Sequence, residues 1–195
     1  ITGGVAVAVG QGATRLTFDA SRRIRDLSDL PVIAPVTNSL MSQESGNDHG
    51  DYVLLNAAGI GVRHRLSGRT SLSLGVSVEE SQSVGVSASP ANGQYRPNPP
   101  LGTGTRGVAK LGLERASGGI AARRDLQGRL SLEAGEGATD YLRATAEGRW
   151  VVSLGASELL SRAYLGVGTD GLPPHRSFVM GGRGTLLGEP FRAYG

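Results

Sequence analysis

Ser71-Leu72-Ser73-Leu74-Gly75-Val76-Ser77-Val78-Glu79 decides the fold class. Side chains of an extended strand point alternately to its two sides, so Leu72, Leu74, Val76 and Val78 share one face. Ser71, Ser73, Gly75, Ser77 and Glu79 share the other. Upstream, Leu54, Ala58, Ile60, Val62 and Leu66 share a face with Asn56 and His64, against Gly59, Gly61, Arg63, Arg65 and Ser67. Ser67-Gly68-Arg69 joins the two runs as a tight turn, which predicts a β-hairpin.

The same period recurs outward from this hairpin. Val5, Val7 and Val9 form one face near the start, in a run from Gly4 to Gly10. Leu16, Phe18 and Ala20 oppose Arg15, Thr17 and Asp19. Ala109, Leu111 and Leu113 oppose Lys110 and Glu114. Leu130, Leu132 and Ala134 oppose Arg129, Ser131 and Glu133. Leu142, Ala144, Ala146, Trp150, Val152 and Leu154 oppose Arg143, Thr145, Glu147 and Arg149. Ala163, Leu165 and Val167 oppose Arg162 and Tyr164. The expectation is about eight strands and no helix. Connections at one end are mostly short (Gly10 to Gly12, Ser67 to Arg69, Gly155 to Ser157), with Gly118 to Gln127 intermediate. At the other end Asp26 to Gly50 and Ser87 to Arg106 are long and polar, whereas Gly135 to Thr139 is short.

A soluble β-sandwich predicts the same alternation, with the apolar face in a core. Three features favour a membrane barrel. Several runs reach the ~9–11 residues that a tilted strand needs to cross a bilayer. The apolar face is mainly Leu, Val and Ala, with Phe18, Tyr52, Tyr141, Trp150 and Phe178 toward strand ends, the pattern of an interfacial girdle. The polar face mixes Gly and Ser with Arg and Glu, which suits a wet interior. The expected fold is therefore all-β: an antiparallel up-and-down transmembrane β-barrel, incomplete, its strands meandering. Residues 1–195 are read as a fragment of a single barrel domain, because residue 1 falls at the edge of a strand-like run and Gly195 in a turn-rich segment.

The last stretch, Phe178-Val179-Met180-Gly181-Gly182-Arg183-Gly184-Thr185-Leu186-Leu187-Gly188-Glu189-Pro190-Phe191-Arg192, resembles the outer-loop motif of the BamA/TamA-like bacterial surface antigen family, the outer-membrane assembly and two-partner-secretion barrels. That motif reads roughly F-x-x-G-G-x-x-[ST]-[LV]-R-G-[YF]. Phe178, Gly181, Gly182, Thr185, Leu186 and Gly188 match it. Leu187 stands at the family's arginine position and Glu189 at its aromatic position. The resemblance covers only these final residues. It implies that 169–195 begin a long outer loop folded into the barrel lumen, with Arg183 or Arg192 as candidate loop cations. It also implies a bacterial outer-membrane location, contact with outer-membrane lipid, polypeptide substrates, and periplasmic domains in the same longer chain. The implied function is insertion or translocation of polypeptide without chemical catalysis. A passive pore or structural barrel, or the membrane anchor of an enzyme whose catalytic domain lies elsewhere, are the alternatives.

Composition narrows the chemistry. The chain has 195 residues, 31 of them glycine, no cysteine and a formal charge of +3. Without cysteine there is no disulfide framework and no thiolate metal site. The arginines are scattered without interleaved aromatics, so no nucleic-acid surface is expected. Gly102-Thr103-Gly104-Thr105-Arg106-Gly107 spells a dinucleotide fingerprint, but a strand and not a helix follows it. His49, His64 and His175 lack metal-ligand spacing, and no serine sits in a G-x-S-x-G elbow. Neither cofactor nor metal is expected. Glu79-Glu80 and Glu133 with Glu136 suggest ion-pair networks with the arginines rather than catalytic acids.

Overall fold

The computed structural model describes residues 2–27, 35–48, 50–86, 88–98, 100–101, 103–118 and 124–178. Eight strands follow one another: β1 (Gly3–Gln11), β2 (Thr14–Asp26), β3 (Tyr52–Arg65), β4 (Thr70–Ser83), β5 (Gly104–Arg115), β6 (Arg124–Gly137), β7 (Tyr141–Leu154) and β8 (Ser157–Gly168). They form one antiparallel up-and-down sheet in the order β1 to β8, each strand pairing with the next in sequence. The sheet is not closed: β1 and β8 are its edges. Two-residue turns at Gly12-Ala13 and Gly155-Ala156 join β1 to β2 and β7 to β8. Each needs a left-handed residue, supplied by Gly12 (φ 61°) and Gly155 (φ 69°); the space around both is open, so a side chain there would cost backbone strain alone.

The burial pattern is the reverse of a soluble sheet. On β5, Arg106 and Val108 are 4% and 3% exposed, while Leu111 and Leu113 on the opposite face are 43% and 37% exposed. Leu74, Val76 and Val78 on β4 and Leu130 and Leu132 on β6 are likewise exposed, whereas Glu79 and Glu133 are buried. Among the described residues no second layer covers the aliphatic face. The expected girdle is only partly present. Trp150 and Phe18 lie on the aliphatic face, Phe18 near its middle. Tyr141 is buried on the polar face, and Phe178 is drawn to that face too, because each finds a cation or carboxylate there.

Polar rows bound the aliphatic face. At the long-loop end, Arg22, Asn56, Glu80 and Thr105 lie directly opposite one another across β2 to β5. Asn56 donates to Glu80 at 2.8 Å, and Gln82 donates to the same carboxylate at 3.1 Å. At the turn end Thr14 is paired with His64, their side chains 2.8 Å apart, and Thr70 with Arg115.

One expectation fails in the long connection before β3, where helix α1 (Pro35–Ser45) forms. Its apolar residues Val36, Leu40 and Met41 are too few to give a helical stripe. Its signals lie at the ends: a proline at the first helical position and Gly46 at φ 71° just past the last. The Gly46 amide closes the helix on the Ser42 carbonyl at 3.0 Å.

The long connections cover the loop end of the polar face. Leu27, Val53 and Leu101 form a small buried apolar cluster there. Asn98 accepts from the Tyr52 amide at 3.1 Å and donates to the Val84 carbonyl at 3.0 Å. Arg96 pairs with buried Asp51 at 2.5 Å. Because Arg96 itself is half exposed, Arg96→Ala is expected to cost about 1.4 kcal/mol locally, less than the loss of a fully buried pair. Proteolysis within 84–103 should then rise roughly tenfold, while amide exchange in β3 and β4 stays unchanged.

Candidate functional site

Register brings the charged residues of the polar face together. Glu79 on β4 lies opposite Arg106 on β5, and Lys110 on β5 lies opposite Glu133 on β6. Lys110 Nζ bridges both carboxylates, at 3.4 Å from Glu79 and 3.1 Å from Glu133. Past the end of β8 the chain turns back through a short 3-10 turn, Pro174–Arg176, and places Arg176 against the same two groups. Arg176 Nε donates to Glu133 Oε1 at 2.5 Å, and its Nη2 donates to Glu79 Oε2 at 2.6 Å. All three side chains are under 10% exposed. The Tyr141 hydroxyl adds a third donor to Glu133, at 2.5 Å.

Burial of the Arg176 guanidinium opposes its charge, but Glu133 and Glu79 outweigh that and hold its pKa above the ordinary value. His175 behaves oppositely. Burial, with Arg176 and Arg106 nearby, pushes its pKa down to about 4. Its Nε2 lies 3.0 Å from Arg106 Nη1; arginine can only donate, so the ring nitrogen accepts and the imidazole is neutral.

Phe178 completes the docked segment. The Arg143 guanidinium lies 4.6 Å from its ring centroid, and Arg143 Nε donates to the Arg176 carbonyl at 2.9 Å. The ring rests on Gly166 of β8, where any β-carbon would collide with it. Tyr141 sits in the same way over its cross-strand neighbour Gly135. The bare glycine backbone is what lets both aromatics lie flat on the sheet.

Phe178 is thus the one motif residue within the described structure. Gly181, Gly182, Thr185, Leu186 and Gly188, and the candidate cations Arg183 and Arg192, lie outside the described residues, as does His49. The buried cation that the structure does describe is Arg176, just upstream of the motif. The two expected acid pairs are split by alternation. Glu79 and Glu133 meet from different strands, while Glu80 points to the aliphatic side with Asn56. Gly104 opens β5, so the glycine fingerprint runs straight into a strand. His64 bonds Thr14 at the rim. Register offers only a partial signal for Arg176: it sets Glu79 opposite Arg106 and Glu133 opposite Lys110, four positions apart along β5, and the two acids meet only through the long side chains of Lys110 and Arg176. Comparison with protein-family models, curated proteins and solved structures finds no match to this chain.

The arrangement is a clamp, with both carboxylates engaged by cations from two directions. Arg176→Ala should release residues 173–178 and leave Glu79 and Glu133 buried together with Lys110 as their remaining ion-pair partner among the described residues, at a cost of about 3–5 kcal/mol. Adding Glu79→Gln and Glu133→Gln should recover much of that loss in the same unfolding assay; no recovery would show that the pairs are not coupled. Docking should also depend on pH. Between pH 6.5 and about 4 the released His175 takes up a proton that the docked ring refuses. Docking is therefore full above pH 6.5 and weakens by up to about 3 kcal/mol as pH falls toward 4, read as faster amide exchange in 173–178. His175→Gln should flatten that profile.

Proposed function

We propose that this sheet is part of a transmembrane β-barrel of the bacterial outer membrane, with the aliphatic face against lipid. The observation that carries the reading is the bounded apolar band. From Thr14 to Arg22 on β2, and from Asn56 to His64 on β3, eight residue steps separate the polar rows. On β4 the span from Thr70 to Glu80 is ten steps, as is Thr105 to Arg115 on β5. At ~3.3 Å per residue these spans are about 26–33 Å long, or about 20–25 Å tall for strands tilted ~40°. That is the height of a barrel's apolar belt. In water such a continuous aliphatic face would far exceed the few hundred Å² that a soluble monomer exposes.

The buried clamp supports the same assignment, since ion pairs suit the interior of a barrel and not its lipid side. Backbone groups along the free edges of β1 and β8 must be paired in hydrocarbon, with each other or with further strands. For the task of the barrel we favour insertion or translocation of polypeptide without chemical catalysis. This rests on the resemblance of 178–188 to the surface-antigen loop motif and on the turn just before it being drawn onto the polar face. An open passive pore fits less well, because that turn fills the polar face at the level of Glu79 and Glu133.

The full-length protein in detergent should run differently on a denaturing gel before and after boiling, and should float with liposomes. Leu74→Arg, at mid-belt, should cost about 2–4 kcal/mol and block insertion. If the same face met water, the substitution would change stability by under about 0.5 kcal/mol, and that outcome would remove the membrane assignment. Replacing Gly182 by Trp should impair assembly or transport; normal behaviour would sink the polypeptide-handling part.

A further inference from the structure

The turn end of the polar face carries a different charge pattern from the clamp. Arg15 on β2 lies directly opposite Arg63 on β3, and Arg149 on β7 directly opposite Arg162 on β8. Like charges in facing positions destabilise a sheet unless something lies between them. Local carboxylates meet only part of the demand. Glu114 is shared by Arg63 at 3.1 Å and Arg129 at 3.6 Å, and Glu147 pairs with Arg162 at 2.7 Å. Arg15, Arg65 and Arg149 have no carboxylate partner among the described residues. With Arg69, which pairs with Asp125, and with Glu158 counted in, seven arginines against four acids leave +7 − 4 = +3 on this third of the face. All seven arginines are exposed. All but Arg69 border two open clefts, one at β1–β3 and one at β5–β8.

We propose that this surface binds an extended, acidic stretch of polypeptide; the proposal rests on the polypeptide-handling barrel reading and names the class of substrate that such a barrel accepts. The spacings match. Arg63 and Arg65 are two residues apart on one strand, about 6.6 Å along it, and facing arginines are about 5 Å apart across strands. Carboxylates at alternate positions of an extended peptide repeat at the same ~6.6 Å. Each guanidinium offers a planar fork that holds a carboxylate through two parallel hydrogen bonds. A nucleic-acid strand would need aromatic platforms for its bases, and neither cleft is lined by one. The site also lies at the opposite end of the polar face from the long loops, so a chain can reach it without displacing them.

The test uses the full-length protein in detergent and a fluorescein-labelled ten-residue polyglutamate, read by anisotropy at low and at physiological salt. Binding should be salt-sensitive. The variant R15S/R65S/R149S should weaken it at least thirtyfold, and E114Q/E147Q, which frees three further arginines, should tighten it severalfold. Heat-dependent gel mobility of every sample reports the barrel separately, so a change there bears on the membrane reading and not on the ligand. No binding, or binding undiminished in the triple variant, overturns the proposal. Equal or tighter binding of a ten-nucleotide oligothymidylate overturns the polypeptide assignment.

Discussion

Arg176 ties together two glutamates from strands that are not neighbours, and the arrangement of the polar face depends on that contact. Glu79 and Glu133 stand on β4 and β6, separated by β5. Lys110 alone would leave two buried carboxylates sharing one cation. The guanidinium fork adds a bond to each. That contact fixes the backbone of the returning turn. The turn in turn fixes where His175 meets Arg106 and where Phe178 meets Arg143 and Gly166. Removing one charge from such a group costs more than any single pair is worth, because the remaining charges stay desolvated.

This concentration of charge is the complement of the aliphatic outer side. A sheet with Leu, Val and Ala along the middle of one face holds most of its Arg and Glu on the other, and where that face is buried they pair. The two faces also differ along their length. Near the long loops the polar face is closed over by Leu27, Val53 and Leu101 and by the Asp51–Arg96 bridge. In the middle it is neutralised by the clamp. Toward the short turns it is left with surplus positive charge. The polarity of the sheet therefore runs across it and from end to end.

Much of the architecture was legible in period-two alternation. Leu72 to Val78 and Leu54 to Val62 fixed the faces of β3 and β4, and Ser67 to Arg69 fixed their connection. Helix α1 was hidden, because its residues are polar on every side and only Pro35 and Gly46 mark it. Alternation also could not say which aromatics face outward. Tyr141 and Phe178 are held inward by partners on other elements, Glu133 and Arg143 for their polar and cationic contacts and Gly135 and Gly166 as seats. The clamp was half legible: Glu79 and Glu133 were visible as network acids, but pairing them needs the strand register. Arg176 lies in no strand and carries no local pattern at all.

The order of the strands gives the clamp a temporal meaning. Each strand pairs only with its predecessor or successor, so every ladder contact is made between chain segments that emerge one after the other. Side-chain bonds reach further, and among the described residues the Arg176–Glu79 bond reaches furthest, spanning 97 positions. It cannot form until β5 through β8 have been laid down in register, since a slip of one residue would send Glu133 to the other face. Closure of this bond is thus a built-in check that the intervening strands have been added in number and in phase.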